Sequence, residues 1–269
     1  MDTKEFAKNM RKLILDAIYN SKSGHPGGAL SCTDILAILF NEEMKRDSSK
    51  PHDPDRDRFV LSKGHASAAL YAALALKEYF PVEEIIKFRK IDSFLEGHPE
   101  MKGTPGVDMT TGSLGQGISA ACGMAISAKR NNKDYRVYAI LGDGELQEGQ
   151  VWEASMFAAH YKLDNLCYFI DYNGLQIDGN ITDVMSPVPI ADKFRAFGMN
   201  VIEIDGHDYN QIRGALKTAK ETKGKPTCVV AKTIKGKGVS FMENVASWHG
   251  TAPNKEQYEK AIEEVVKNG

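Results

Sequence analysis

The sequence predicts an α/β fold: a doubly wound, mostly parallel sheet with helices on both faces. Three observations carry this. Short, almost continuous apolar runs at Arg58–Leu61, Arg136–Leu141, Asn165–Asp171, Val201–Ile204 and Thr227–Lys232 read as strands buried on both sides. Between them lie segments with apolar residues at helical spacing, which is the alternation of a layered α/β protein. Two of the runs end in polar glycine turns, Gly142-Asp143-Gly144 and Asn173-Gly174-Leu175. Carboxyl ends of strands are where such a sheet puts its ligands.

Each element has its own reason. Phe6, Met10, Leu13, Ile14 and Ala17 form one helical stripe, which predicts a helix over 3–20. The stretch SKSGHPGG (21–28) breaks it, and a second helix is expected over 31–40, capped by Ser31 or Thr33. The polar stretch 47–58, with Pro51 and Pro54, reads as a loop. Helices are further expected over 66–79, 118–128, 151–160, 209–222 and 255–266. The 66–79 and 118–128 helices are alanine-rich on several faces, so they are either internal core helices or surfaces packed against another protomer. No internal repeat or linker divides the chain, and residues 1–269 read as one domain.

Composition narrows the function classes. A formal charge of −2 gives no basic footprint, so nucleic-acid binding is not expected. The four cysteines are far apart and read as reduced core residues. No apolar run approaches membrane-spanning length and the N-terminus has no apolar signal core, so a cytoplasmic protein is expected.

The glycine turns suggest a metal site. Asp143 offers a carboxylate, Asn173 an amide oxygen and Leu175 its carbonyl, the hard oxygen donors that Mg²⁺ or Ca²⁺ prefers alongside phosphate oxygens. Gly144 lets the backbone approach a diphosphate. About 28 residues separate Gly144 from Asn173, room for one helix and a returning strand. That spacing is similar to the thiamine diphosphate fingerprint, whereas 112–117 (GSLGQG) does not fit the dinucleotide pattern.

Of seven histidines, His25, His65, His98 and His249 stand in glycine-containing turns that can fix imidazoles around one pocket. His52, His160 and His207 are expected to be structural.

SKSGHPGG, DRDRFVLSKGHASAALYAAL, EGHPE, TGSLGQGISAACGMA, GDGELQEGQVWEAS, YNGLQIDG and WHGTAP occur in the order seen in transketolase, and the chain resembles that family over nearly its whole length. The resemblance covers only the N-terminal, diphosphate-binding half, as in the N-terminal subunit of a split enzyme. It implies thiamine diphosphate as cofactor, with Asp143, Asn173 and the Leu175 carbonyl on Mg²⁺ or Ca²⁺. It places Gly144, Asn173, His65 and His249 toward the diphosphate, and Gly112, Ser113 and Leu114 along the cofactor through their backbone. The family often has proline where this chain has Ser113. It gives His25, His98 and His249 to the donor sugar and its protons, and Glu148 to a carboxylate network across the interface between subunits.

The activity implied is reversible transfer of a two-carbon ketol unit between sugar phosphates, as in the pentose phosphate pathway. A partner subunit carrying the pyrimidine-binding domain is implied, in an α₂β₂ assembly without which the chain is inactive. Two rivals stand beside this: another thiamine diphosphate enzyme, of the 2-oxoacid dehydrogenase or deoxyxylulose phosphate synthase type, and a non-catalytic binding module that keeps the fold.

Overall fold

A computed structural model describes residues 1–268. Helix α1 (Thr3–Ser21) is capped by the Asp2 carboxylate on the Lys4 amide and ends where Lys22 turns left-handed. Two short helices follow, α2 (Pro26–Ser31) and α3 (Thr33–Ile38), the latter running into a π-turn at Leu39–Glu43. The expected single helix over 31–40 is thus split, and its start moves upstream. Pro26 occupies the first helical turn, where its missing N–H costs nothing, so the PGG of the supposed breaker is itself helical.

The remaining major elements are β1 (Arg58–Leu61), α4 (Ser67–Leu76), α5 (Gln116–Arg130), β2 (Val137–Gly142), α6 (Gly149–His160) and β3 (Leu166–Tyr172). After them come a two-residue hairpin of β4 (Leu175–Gln176) and β5 (Gly179–Asn180), then α7 (Ile181–Met185) and α8 (Ile190–Ala196). The chain finishes with β6 (Asn200–Asp205), α9 (Tyr209–Glu221), β7 (Thr227–Lys232) and α10 (Lys255–Asn268). The five expected strands all appear, displaced by at most one residue at their ends. The hairpin and α7–α8 are too short for any apolar period to predict them.

Strands β1, β2, β3, β7 and β6 lie in that order, all parallel. Side-chain alternation splits the core in two. Phe59, Leu61, Tyr138, Ile140, Phe169 and Val229 pack with α1, α3, α4 and α9 on one face. Val60, Ala139, Leu141, Tyr168, Ile170 and Val230 pack with α5, α6 and α8 on the other. The chain goes outward from β1 to β3, skips to β6, and returns to insert β7. Its direction therefore reverses between β3 and β7, which makes the carboxyl-end crevice there the natural ligand site.

The two alanine-rich helices differ. In α4, Ala68, Ala69, Ala72, Ala73 and Ala75 are all buried within this chain, so α4 is a core helix and not a free surface. In α5 only one side is buried, and Ser119, Gly123 and Ser127 face outward. No helix among the described residues is long and apolar enough to cross a membrane.

Candidate cofactor and active site

Strand register sets the site. Gly142 pairs with Asp171, and Asp171 with Ala231, so the segments after β2, β3 and β7 leave the sheet side by side. With the turn after β1 they enclose a cavity of about 320 Å³, whose wall includes His25, His65, Asp143, Asn173, Lys235 and His249. A wider cleft of about 890 Å³ runs along β6 and β7, but its histidine is engaged at both nitrogens. His207 Nδ1 is 2.8 Å from Asp34 Oδ2, and its Nε2 accepts from the Ile234 amide at 2.9 Å. Both ring nitrogens of that histidine are therefore taken up by protein partners.

The oxygen donors converge. Asp143 is 2 % exposed and accepts from the amides of Gly174 (2.6 Å) and Gly144 (2.9 Å). The Asn173 amide nitrogen donates to Asp171 Oδ2 at 3.3 Å, which turns Asn173 Oδ1 the other way, where it accepts from the Leu175 amide at 3.1 Å. Gly174 has φ +79, a left-handed backbone that strains any L side chain, and it swings the chain into the hairpin. Burial and the neighbouring charge of Asp171 push the Asp143 carboxyl up to about 7 despite its two N–H donors. One carboxylate, one amide oxygen and one carbonyl form a hard-donor set that fits Mg²⁺ or Ca²⁺ when phosphate oxygens complete it. Among the described residues no cluster of three or more His, Cys, Asp or Glu side chains could hold a metal by itself.

Two buried lysines, neither of them among the expected site residues, shape the field. Lys63 donates to Asp171 Oδ2 at 2.5 Å and to the Gly28 carbonyl at 2.6 Å. Burial lowers its pKa, but the Asp171 carboxylate more than offsets this and holds it above the usual lysine value. The same pairing, with hydrogen bonds from Ser31 and Thr233, keeps Asp171 ionised although burial opposes it. Lys235 is 2 % exposed and has no carboxylate within salt-bridge distance among the described residues; its Nζ lies 3.2 Å from the Leu175 carbonyl and 3.0 Å from His249 Nδ1. Burial first, and then the Lys63 charge, bring it down to about 8. A buried ammonium beside a second one disfavours itself and favours an incoming anion.

Three of the four expected histidines meet. The ring centres of His25, His65 and His249 lie 5.1 to 5.4 Å apart. Burial and the surrounding cations depress all three: His25 to about 4, His249 to about 3, and His65 well below its ordinary value. They are neutral at pH 7. His98 is exposed, with its ring against Gly112, where an added Cβ would come within 3.0 Å of Cγ, and its charge still bears on His25.

Gly112, Leu114, Gly144 and Glu148 border the cavity, whereas Ser113 is exposed and does not line it. Glu148 immediately precedes α6 and is exposed on this chain. Its neighbour Glu145 is buried instead, accepting from Ser62 Oγ and from the amides of Gly115 (2.9 Å) and Gly142 (3.1 Å). Glu145 thereby ties the 112–115 segment to the Gly142 turn. Lys63 had a readable signal, since it directly precedes Gly64-His65. Lys235 follows the last strand of the sheet and could have been found from its place at a carboxyl end.

A parallel sheet whose reversal point presents a hard-oxygen triad, buried cations and clustered neutral imidazoles defines a diphosphate-cofactor domain. Residues 2–265 match the family described as transketolase, thiamine diphosphate binding domain, and the chain belongs to the transketolase family. It is 46% identical over 269 residues to the 6-deoxy-6-sulfo-D-fructose transketolase subunit SqwG of Clostridium sp. (strain MSTE9), covering 100% of this chain and 98% of that one. It is 42% identical over 255 residues to an apulose-4-phosphate transketolase subunit of Phocaeicola vulgatus, covering 95% and 90%. Human transketolase is 42% identical over 271 residues, but these span only 42% of its length. The solved transketolase of Campylobacter jejuni superposes with a TM-score of 0.93 at 36% identity, over 99% of this chain and 43% of that one. The chain is a transketolase-type transferase component of N-terminal kind. The oxoacid dehydrogenase and synthase readings give way to it.

Proposed function

We propose that this chain is the diphosphate-binding subunit of a split transketolase, and that residues 1–269 act as one such domain. With a partner subunit that carries the pyrimidine-binding domain, it transfers a two-carbon ketol unit from a ketose phosphate to an aldose phosphate. The observation that carries this reading is the meeting of the Asp143–Asn173–Leu175 oxygen set with three neutral histidines in one cavity. A non-catalytic module would have no use for the second group.

In this reading Asp143, Asn173 and the Leu175 carbonyl hold the divalent ion, and Lys235, His65 and Gly144 face the diphosphate. Gly112 and Leu114 line the cofactor, with Ser113 beside them. Thiamine diphosphate supplies the electron sink for the carbanion left when the carbon–carbon bond breaks. The protein's own task is to place N–H donors at the sugar oxygens and to move protons. His25 and His249 are neutral near pH 7 and so can donate to a carbonyl oxygen without being titrated away. His98 at the rim meets the sugar further out, and the exposed Glu148 meets the partner.

The protein works in the cytoplasm as an α₂β₂ assembly, and the pentose phosphate pathway is its expected setting. The name of the Clostridium relative, a 6-deoxy-6-sulfo-D-fructose transketolase subunit, favours a second reading of the substrate, a ketose with a sulfonate in place of the phosphate. Calorimetric titration of thiamine diphosphate with Mg²⁺ into the chain, alone and with its partner, tests the cofactor assignment. Binding that needs neither Mg²⁺ nor Asp143 would oppose it.

A further inference from the structure

Arg89 lies outside the glycine-rich motifs, yet it reaches the histidine cluster. Its Nη1 donates to Ser23 Oγ at 2.9 Å, and its Nη2 donates to the Gly97 carbonyl at 3.3 Å. The same Nη2 stands 3.4 Å from His25 Nδ1. One guanidinium therefore joins three segments: the Ser23–His25 loop, its own turn, and Gly97-His98.

The turn is built to hold it. Arg89 has a left-handed backbone (φ 59), its amide donates to the Leu95 carbonyl at 2.8 Å, and an added Cβ at Gly97 would come within 2.9 Å of Arg89 Cζ. The Nε atom is buried with no partner among the described residues, so the guanidinium's contacts are made through its two Nη atoms.

A guanidinium has five donors and no acceptor. The His25 Nδ1 that faces it must therefore offer a lone pair, and in the neutral ring the single proton sits on Nε2. That edge of the ring looks toward Gly250, next to His249; an added Cβ on Gly250 would lie 3.9 Å from His25 Nε2. We propose that Arg89 is a positioning residue for His25, fixing it as the Nε2–H tautomer so that it meets substrate as a hydrogen-bond donor and not as a base. The role toward substrate rests on the proposed transketolase function; the tautomer does not.

His25 is faced by other groups as well. His65 and His249 flank its ring, while Lys235 and His98 add positive or partial charge from the β7 end and the rim. Of these, Lys235 acts on His249 in the same sense, at 3.0 Å from its Nδ1. An ammonium brought down to about 8 can lose its proton and become an acceptor, whereas a guanidinium stays a donor at any working pH. Arg89 is the permanent lock of the pair.

Nitrogen NMR of the chain labelled with ¹⁵N-histidine tests this directly. In the unaltered chain near pH 7, His25 should show an unprotonated Nδ1 and a protonated Nε2. In Arg89→Met both tautomers should appear, and the His25 titration midpoint should rise by about one pH unit. Arg89→Lys should keep the Nε2–H form, and unchanged His65 and His249 resonances would report an intact fold. In the assembly with its partner, Arg89→Met should lower kcat by about 10- to 100-fold with KM little changed, and shift the acid limb of the pH profile upward. A protonated Nδ1 in the unaltered chain, or the same tautomer and midpoint in folded Arg89→Met, would overturn the proposal. Should Arg89→Met fail to fold, the unaltered chain and Arg89→Lys decide it. The NMR result stands whether or not two-carbon transfer is found, so the two readings fail separately.

Discussion

Lys235 Nζ sits 3.0 Å from Nδ1 of His249, which couples a buried cation at the Leu175 carbonyl to one of the three clustered imidazoles. The lysine is buried without a carboxylate partner in contact among the described residues, and the histidine is depressed to about 3 by burial and then by that same ammonium. Under the proposed function, cofactor binding and proton placement would be linked through this one contact.

Replacing Lys235 by methionine should weaken diphosphate binding by about 10- to 100-fold, the range for a lost charge-assisted hydrogen bond. The cofactor-free chain should meanwhile become more stable below pH 8, since an unpaired buried charge is gone. The Lys235 pKa is lowered to about 8 in the fold against about 10.4 when unfolded. The unfolded chain therefore binds more protons between those values, and folding stability rises with pH across that window. Thermal melts of the two proteins should converge between about pH 8 and 10. A variant less stable at every pH would contradict this.

Acidification acts through the histidines with the same sign. His25 and His249 titrate at about 4 and about 3 in the fold, against about 6.5 unfolded. Their contribution is fully present above the unfolded value and is lost as pH falls toward the folded ones. His25→Gln and His249→Gln should each flatten the loss of stability between about pH 6.5 and 4, measured by denaturant unfolding. An unchanged slope in both would show that these rings are not held neutral.

Asp143→Asn keeps an oxygen for the Gly174 or Gly144 amide but removes the carboxylate charge. Mg²⁺-dependent cofactor binding should fall by about 100-fold or more, beyond the 10- to 100-fold typical of residues one layer further out. The circular dichroism spectrum should not change. Equal affinity by calorimetry would remove Asp143 from the metal site.

His25→Ala and His249→Ala should slow turnover by about 10²- to 10⁴-fold, the usual worth of a positioned proton donor. Cofactor affinity should change far less, because Asp143, Asn173 and Lys235 remain. Steady-state kinetics of the assembled enzyme, beside calorimetry, separates the two effects. Near-normal turnover in both variants would end the catalytic assignment.

Gly64 packs against the 111–112 segment: an added Cβ would lie 2.7 Å from the Gly112 amide nitrogen and 2.7 Å from Thr111 Oγ1. Gly64→Ala should cost about 1–3 kcal/mol, as overpacking in a core does, and should displace Gly112. A variant with unaltered melting and cofactor affinity would mean that this junction is loose.

How much of the fold and site was legible in the sequence depends on the kind of contact. The strands were readable because a sheet buried on both faces leaves uninterrupted apolar runs, as Val137–Leu141 does. Asp143 and Asn173 were readable because they directly follow such runs. The helix break at Cys32 was not, since nothing in apolar spacing marks where Pro26 starts a turn. The partners of Lys63, Lys235 and Arg89 were not legible for a different reason. Each acts through a partner distant in the chain or in another turn, Asp171, His249 and His25 respectively, and only the packed structure brings those pairs together. That His98 is exposed while His25, His65 and His249 are half-buried was equally invisible, because all four share the same glycine-rich surroundings.

The most direct test is a two-carbon transfer assay on the purified chain, with thiamine diphosphate and Mg²⁺, run with and without a co-expressed pyrimidine-binding subunit. Turnover should appear only in the mixture and should be lost with Asp143→Asn. Turnover by the chain alone, or none in a mixture shown to bind both cofactor and metal, would contradict the proposed function.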